Sequence, residues 1–261
     1  MNTMFTEDLE KAQGHWILAK MGKKVLRPGG KELTLKLVKS LQICANDEVV
    51  EFAPGIGYTA SMVMQLNPLS YTGIDADEDV VKNLSGKFSN KNCEFKLSNA
   101  AETQLPSESK DKLYGEAMLT MHADHRKAEI IREAHRVLKK GGLYAIHELG
   151  LTPNDISPEE KAQIQKDLAL CIKANARPLT QQEWVNLLEK EGFKIKKIET
   201  NGMKLLDVAR MIDDEGFFNT LKIGFNIFSN SKATKRVLEM RRCFRKYQRQ
   251  MNAIVIIAQK I

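Results

Sequence analysis

Apolar residues fall along this chain in two rhythms. Short runs of strand type lie at residues 48–53, 71–75, 93–97, 112–118 and 143–147. Between them the apolar positions recur at helical spacing, as in Val80, Val81, Leu84 and Phe88, and again over residues 124–138. Local signals mark the ends. The helix after the first run starts near Gly57 and stops by Asn67-Pro68, because a residue before proline avoids the helical region. Asp77, Glu78 and Asp79 place acids in the first turn of the next helix, where the dipole favours them. Lys139-Lys140-Gly141-Gly142 closes the helix that begins at Asp124. Strands alternating with helices in this way predict βαβ units and a parallel sheet.

The flanks differ in style. Residues 5–26 read as a helix with Trp16, Ile17, Met21 and Val25 on one face, broken at Arg27-Pro28-Gly29-Gly30. A second helix at 32–41 leads into the first strand. Such a leading helix either covers a cleft as a lid or packs on the sheet edge, and His15 and Trp16 are the residues to follow. Beyond residue 150 a polar helix is expected within 153–178. Thr180-x-x-Glu183 is a capping box opening a helix that runs to Glu191 and closes at Gly192. Strands are expected at 193–200 and 252–258. The fifty residues between them carry a stripe of Val237, Met240, Phe244, Tyr247 and Met251, read as core packing. The expected organisation is a helical lid at 1–42 and an α/β domain at 43–261 with cap segments at 151–178 and 201–250.

Right-handed crossovers bring the C-terminal ends of parallel strands to one edge, where ligands of open α/β sheets bind. Glu51, Asp75, Asn99, Glu116, His147 and Glu148 all fall at or just past such ends. The stretch Val49-Val50-Glu51-Phe52-Ala53-Pro54-Gly55-Ile56-Gly57-Tyr58-Thr59 reads as strand, tight turn and helix start. Gly55-Ile-Gly57-Tyr-Thr-Ala60 also fits a dinucleotide fingerprint. Glu51 points elsewhere. A carboxylate repels a pyrophosphate but suits a ligand bearing an ammonium and a sulfonium, as S-adenosylmethionine does.

Composition narrows the setting. The longest apolar stretch, residues 253–258, is far too short to span a bilayer, so no membrane partner is expected. Residues 1–11 contain no apolar signal core, and a cytoplasmic location is the default. Cys44, Cys93, Cys171 and Cys243 lack metal or disulfide spacing and read as reduced thiols. The net charge of +7 is concentrated in two segments. Residues 11–31 hold Lys11, Lys20, Lys23, Lys24, Arg27 and Lys31 with no acid, and residues 232–250 hold eight basic residues against Glu239. These are either solvated faces or surfaces for phosphate, RNA or an anionic partner.

Glu51-x-Ala53-x-Gly55-x-Gly57, the strand end Tyr-Thr-Gly-Ile-Asp75, and the run His135-Arg136-Val137-Leu138-Lys139-Lys140-Gly141-Gly142-Leu143 together resemble the class I S-adenosylmethionine-dependent methyltransferases, small-molecule type. Alanine stands at position 53 where that family's motif has its first glycine. The resemblance covers about residues 47–149. It implies a Rossmann-like seven-stranded sheet, mostly parallel with the last strand antiparallel, carrying helical cap insertions over the acceptor site. It also implies S-adenosylmethionine as cofactor and S-adenosylhomocysteine as product. The cofactor-binding set it implies is Glu51, Ala53, Gly55, Gly57, Asp75, Ala76, Asn99, Ala100 and Glu116. In that set Gly55 and Gly57 approach the methionine and ribose part, and Glu51 helps hold the amino end. Asp75 accepts from the ribose hydroxyls, and Asn99 with Ala100 faces the adenine.

Methyl transfer is an in-line displacement in which the protein chiefly positions the acceptor, with a base where the acceptor must lose a proton. His122, His147 and Glu148 are the expected bases, with His125 a surface alternative. His122-Ala-Asp-His125 lacks a third ligand, and no metal is expected. The leading expectation is methylation of a small molecule. The alternative is an RNA or other macromolecular acceptor bound by the basic segments. A nicotinamide-dependent oxidoreductase is disfavoured by Glu51, and a non-catalytic cofactor-binding protein stands as a further reading.

Overall fold

The computed structural model describes Leu9, residues 11–89 and residues 92–261. Residues 5–8 and 10 of the expected first helix lie outside them. Within them the first helix is short, α1 (Gly14–Lys20), followed by α2 (Gly30–Leu41). The alternating region follows as β1 (Glu48–Phe52), α3 (Tyr58–Met64), β2 (Ser70–Asp75), α4 (Glu78–Lys87), β3 (Cys93–Leu97), β4 (Lys110–Glu116), α5 (Asp124–Val137) and β5 (Leu138–Leu151). Then come α6 (Pro158–Ile172), β6 (Leu179–Thr180), α7 (Gln181–Lys190), β7 (Phe193–Gly202), α8 (Val208–Glu215), α9 (Phe217–Phe228), α10 (Ser231–Lys246) and β8 (Met251–Lys260).

The sheet runs β3-β2-β1-β4-β5-β8-β7, with β8 antiparallel to both neighbours. It has eight strands, one more than expected, because the two-residue β6 pairs with the end of β5 at Gly150 and Leu151. The extra strand exists because β5 is longer than its apolar run suggests. Lys139 binds Asp111 at 3.0 Å and Glu48 at 3.2 Å, and the chain already pairs with β4 at Leu138, so α5 ends one residue early. At its far end β5 continues to Leu151 along β8.

Both faces of the sheet are covered, as a parallel sheet requires. Val50 and Phe52 of β1 face one core with α5 and α7, while Val49 faces the other with α2, α3 and α4. Asp77, expected in the first turn of its helix, stands one position earlier as the N-cap of α4. Asp77 accepts from the N–H groups of Asp79 and Val80, and the Thr180–Glu183 box is fully formed.

A third apolar cluster joins α1, α8, α9 and α10 through Ile17, Leu18, Met21, Met211, Ile223, Val237 and Met240. A fourth joins α6 and α10 to Leu149, Leu151 and Met251, at the C-terminal end of β5. The flanking helices thus collect over the edge where the strands end. Among the described residues no helix is long and apolar enough to cross a membrane.

Candidate active site

The turn after β1 holds three residues at positive φ: Ala53 (53°), Gly55 (55°) and Gly57 (73°). Each has a separate reason. Ala53 accepts the strained conformation where a glycine is easiest, and its N–H donates to Ile74 O at 2.8 Å. Gly55 borders a cleft, and a Cβ there would meet nothing within 4 Å. Gly57 is different: a Cβ would sit 2.5 Å from Leu84 Cδ2, so this glycine lets α3 start against α4.

The cleft has a volume of about 370 Å³ and lies between this turn, the ends of β2 and β4, and the N-terminal segment. Asp75 stands in it at the tip of β2, half-buried, accepting from the N–H of Asp77 at 3.0 Å and of Gly55 at 3.4 Å. Burial raises its carboxyl above the ordinary range.

Behind the turn, Glu51 is buried and accepts from the hydroxyls of Tyr71 and Tyr114, the latter at 2.7 Å. Burial pushes its carboxyl up to about 7. Glu116 at the tip of β4 has a different environment. Arg27 donates to it at 2.8 Å, Thr59 at 2.6 Å, Thr34 at 2.7 Å, and His147 Nδ1 lies at 2.8 Å. Arg27 also donates to Thr59 and stacks over the Tyr58 ring. Burial works against the Glu116 charge, but Arg27 and His147 outweigh it and hold the carboxyl far below the carboxylate range. His147 Nε2 faces Pro28 O at 2.7 Å, so both ring nitrogens have a partner.

Beyond the cleft lies a second cavity of about 80 Å³ with almost wholly apolar walls, among them Leu18, Leu168, Met203, Met240 and Phe244. It shares His15, Leu26, Ala117 and Met121 with the first cleft. Of these four, His15 alone titrates. Burial lowers its pKa to about 4, so it is neutral at pH 7.

A family model described as a methyltransferase domain matches residues 50–146. A protein of Haemophilus influenzae of uncharacterized activity is 31% identical over 95% of this chain and 98% of its own length. The 27-O-demethylrifamycin SV methyltransferase of Amycolatopsis mediterranei is 27% identical over 54% of this chain and 53% of its own. The chain thus spans about half the length of that named relative. In structure, the phosphoethanolamine N-methyltransferase 2 of Haemonchus contortus, bound to phosphomonomethylethanolamine and S-adenosylhomocysteine, superposes with a TM-score of 0.71 at 16% identity. That match covers 95% of this chain and 57% of the other, and shows a shared fold.

The chain belongs to the class I S-adenosylmethionine-dependent methyltransferases. Its cofactor is S-adenosylmethionine.

Of the residues expected from sequence, Ala53, Gly55, Asp75 and Glu116 line the methyltransferase's cleft. Glu51 and Gly57 do not: one is held behind the turn by tyrosines, and the other serves helix packing. Ala76, Asn99 and Ala100 lie outside the lining too. Asn99 Oδ1 accepts from Ala101 N–H at 3.0 Å within its own turn, and Ala100 packs on the core.

The three expected bases line neither cavity. His147 has both nitrogens engaged. Glu148 is buried and accepts from the N–H groups of Met118, Leu119 and Thr120 and from the Thr120 hydroxyl, so it anchors the turn after β4. His122 is half-buried, with its pKa lowered by burial and then by Arg126 and Lys127, and His125 is exposed.

His15, flagged in sequence only as a lid residue, is the histidine that reaches both cavities. Arg27 stood in a basic run, and nothing in that run signalled that it would be buried against Glu116.

Proposed function

We propose that this methyltransferase acts on a small acceptor with an apolar body, and that α1, α6, α8 and α10 form the cap over it. The observation that carries this reading is the junction of two cavities of opposite character, one polar at the glycine turn and one apolar beneath the helices. The cleft residues fit the cofactor. Asp75 offers a half-buried carboxylate to the ribose hydroxyls, and Gly55 leaves room for close approach. The bound cofactor supplies a methyl group on a sulfonium, already activated for displacement.

The rest falls to the protein. The apolar cavity seats the acceptor body and excludes water. Ala117 and Met121, shared by both cavities, mark the passage through which the nucleophile faces the cofactor. His15 stands there as a neutral imidazole able to take the acceptor's proton. Arg27 and Glu116 close the cleft by fixing the N-terminal segment to β4. The activity named for the rifamycin relative supports a small-molecule acceptor.

The basic segments support an RNA acceptor less well than their composition suggests. Lys23 is buried beside Asp214 and Glu215, Arg27 beside Glu116, and the Arg236 guanidinium against Cys171 O and Glu239.

The test is incubation with S-adenosylmethionine labelled in its methyl group and a cell extract, followed by separation of small molecules, RNA and protein. Label in the small-molecule fraction is expected, and His15→Gln lowers kcat with cofactor affinity unchanged. Label in RNA overturns the reading.

A further inference from the structure

Among the described residues, exposed large apolar side chains gather on α9, and none of them lines either cavity. Phe218, Leu221, Phe225 and Phe228 follow one another at spacings of three, four and three, which places them on one helix face. Phe218 is 84% exposed, Phe225 72% and Phe228 78%, and Phe217 stands edge-on beside Phe218. Ordinary surface helices turn such residues inward. Here the inward position belongs to Ile223, which is fully buried against α1 and α10.

Among the described residues, the charges on α9 itself and in the first turns of α10 are basic. Helix α9 contains no acid, and Lys222 flanks its apolar stripe. Lys235 follows in the first turns of α10, and Lys24 lies beyond the turn at Met21, whose O accepts from Asn226 at 2.9 Å. Asp214 and Glu215 are committed to the backbone N–H groups of Lys31, Lys24 and Val25, leaving Asp213 as the exposed acid of α8.

We propose that α9 docks on the surface of an anionic lipid bilayer, its phenylalanines entering the acyl boundary and the lysines meeting the headgroups. An aromatic stripe bordered by lysines is the composition of a helix that lies in the membrane plane without spanning it. A second copy of this chain is the poorer occupant, because an isologous contact brings the same lysines face to face.

The location gives docking a use. Ile223 packs in one cluster with Leu18 and Met240, which also line the apolar cavity. A docked α9 therefore places that cavity within a helix's width of the lipid, and an apolar acceptor partitions toward it. This last step rests on the proposed acceptor class; the docking itself does not.

The test is co-sedimentation of the full chain with phosphatidylcholine vesicles, with and without one-third phosphatidylglycerol. Binding to the anionic vesicles is expected. The double variant Phe218→Ser/Phe225→Ser weakens it by about a hundredfold. Lys222→Glu/Lys235→Glu weakens it on anionic vesicles alone. Both pairs keep the melting temperature and the S-adenosylmethionine affinity measured by calorimetry, which separates this claim from the cofactor site. No pelleting with either vesicle, equal pelleting with both, or pelleting unchanged in the phenylalanine variant overturns the proposal. A dimer that dissociates in that variant, without vesicle binding, assigns the face to a second copy and also overturns it.

Discussion

Glu51 and Glu116 are two buried carboxylates on neighbouring strands, and their surroundings push them in opposite directions. Glu51 meets only neutral donors, the hydroxyls of Tyr71 and Tyr114, and burial raises it to about 7. Glu116 meets Arg27 and His147 and is held far down. Hydrogen bonds alone do not offset the loss of water around a charge, whereas a paired cation does. One carboxylate is thus a store for a proton, and the other a fixed charge that ties the chain's N-terminal segment to the sheet.

The strongest way to break this contrast is Arg27→Met. It removes the guanidinium from the buried Glu116, which keeps Thr34, Thr59 and His147 as partners, and a loss of about 3–5 kcal/mol is expected in urea unfolding, together with weaker cofactor binding in calorimetry. Unchanged stability refutes the assigned role of the pair.

Next is Glu51→Gln. The folded state holds the Glu51 proton more tightly than the unfolded chain, whose carboxyl has the ordinary pKa of 4.5. Its contribution is therefore full below about 4.5 and is lost as pH rises through about 7. The amide cannot ionise, so the variant gains up to about 3 kcal/mol over the native chain at pH 8 and little at pH 4. Melting curves across that window read it directly.

Asp75→Asn supplies a third carboxylate for comparison, one facing the cleft. About a tenfold fall in cofactor affinity, roughly 1.4 kcal/mol, is expected with little change in stability, measured by calorimetry and melting side by side. The smallest effect is that of Tyr114→Phe, about 1 kcal/mol of stability, larger at pH 8 than at pH 5 because the lost donor favours the ionised form.

What sequence revealed follows the range of the interactions. The strand, turn and helix around Gly55, the acids that open α4 and the box at Thr180 are local, and each was legible. Asp75 was legible because a strand end fixes where its side chain emerges. The bases were not. His147 and Glu148 are neighbours in sequence, yet successive strand residues face opposite sides. His147 therefore turns to Pro28 and Glu116, and Glu148 to the turn at Met118. Arg27 and Glu116 are 89 residues apart, and no periodicity carries that distance. Gly57 was legible as a glycine position, but its reason, the approach of Leu84, belongs to packing.

The backbone of Lys24, Val25 and Lys31 is held by Glu215 and Asp214, across separations of 191, 190 and 183 residues. These bonds set an order of assembly. During synthesis the glycine turn and Asp75 emerge early and find their neighbours nearby. The segment that carries His15 and Arg27 emerges earlier still, yet its carboxylate anchors on α8 are made only after most of the chain has left the ribosome. Contacts of such high order close late in folding. A nascent chain stopped before residue 208 already carries the glycine turn and Asp75, and still lacks both carboxylates that hold the backbone of Lys24, Val25 and Lys31.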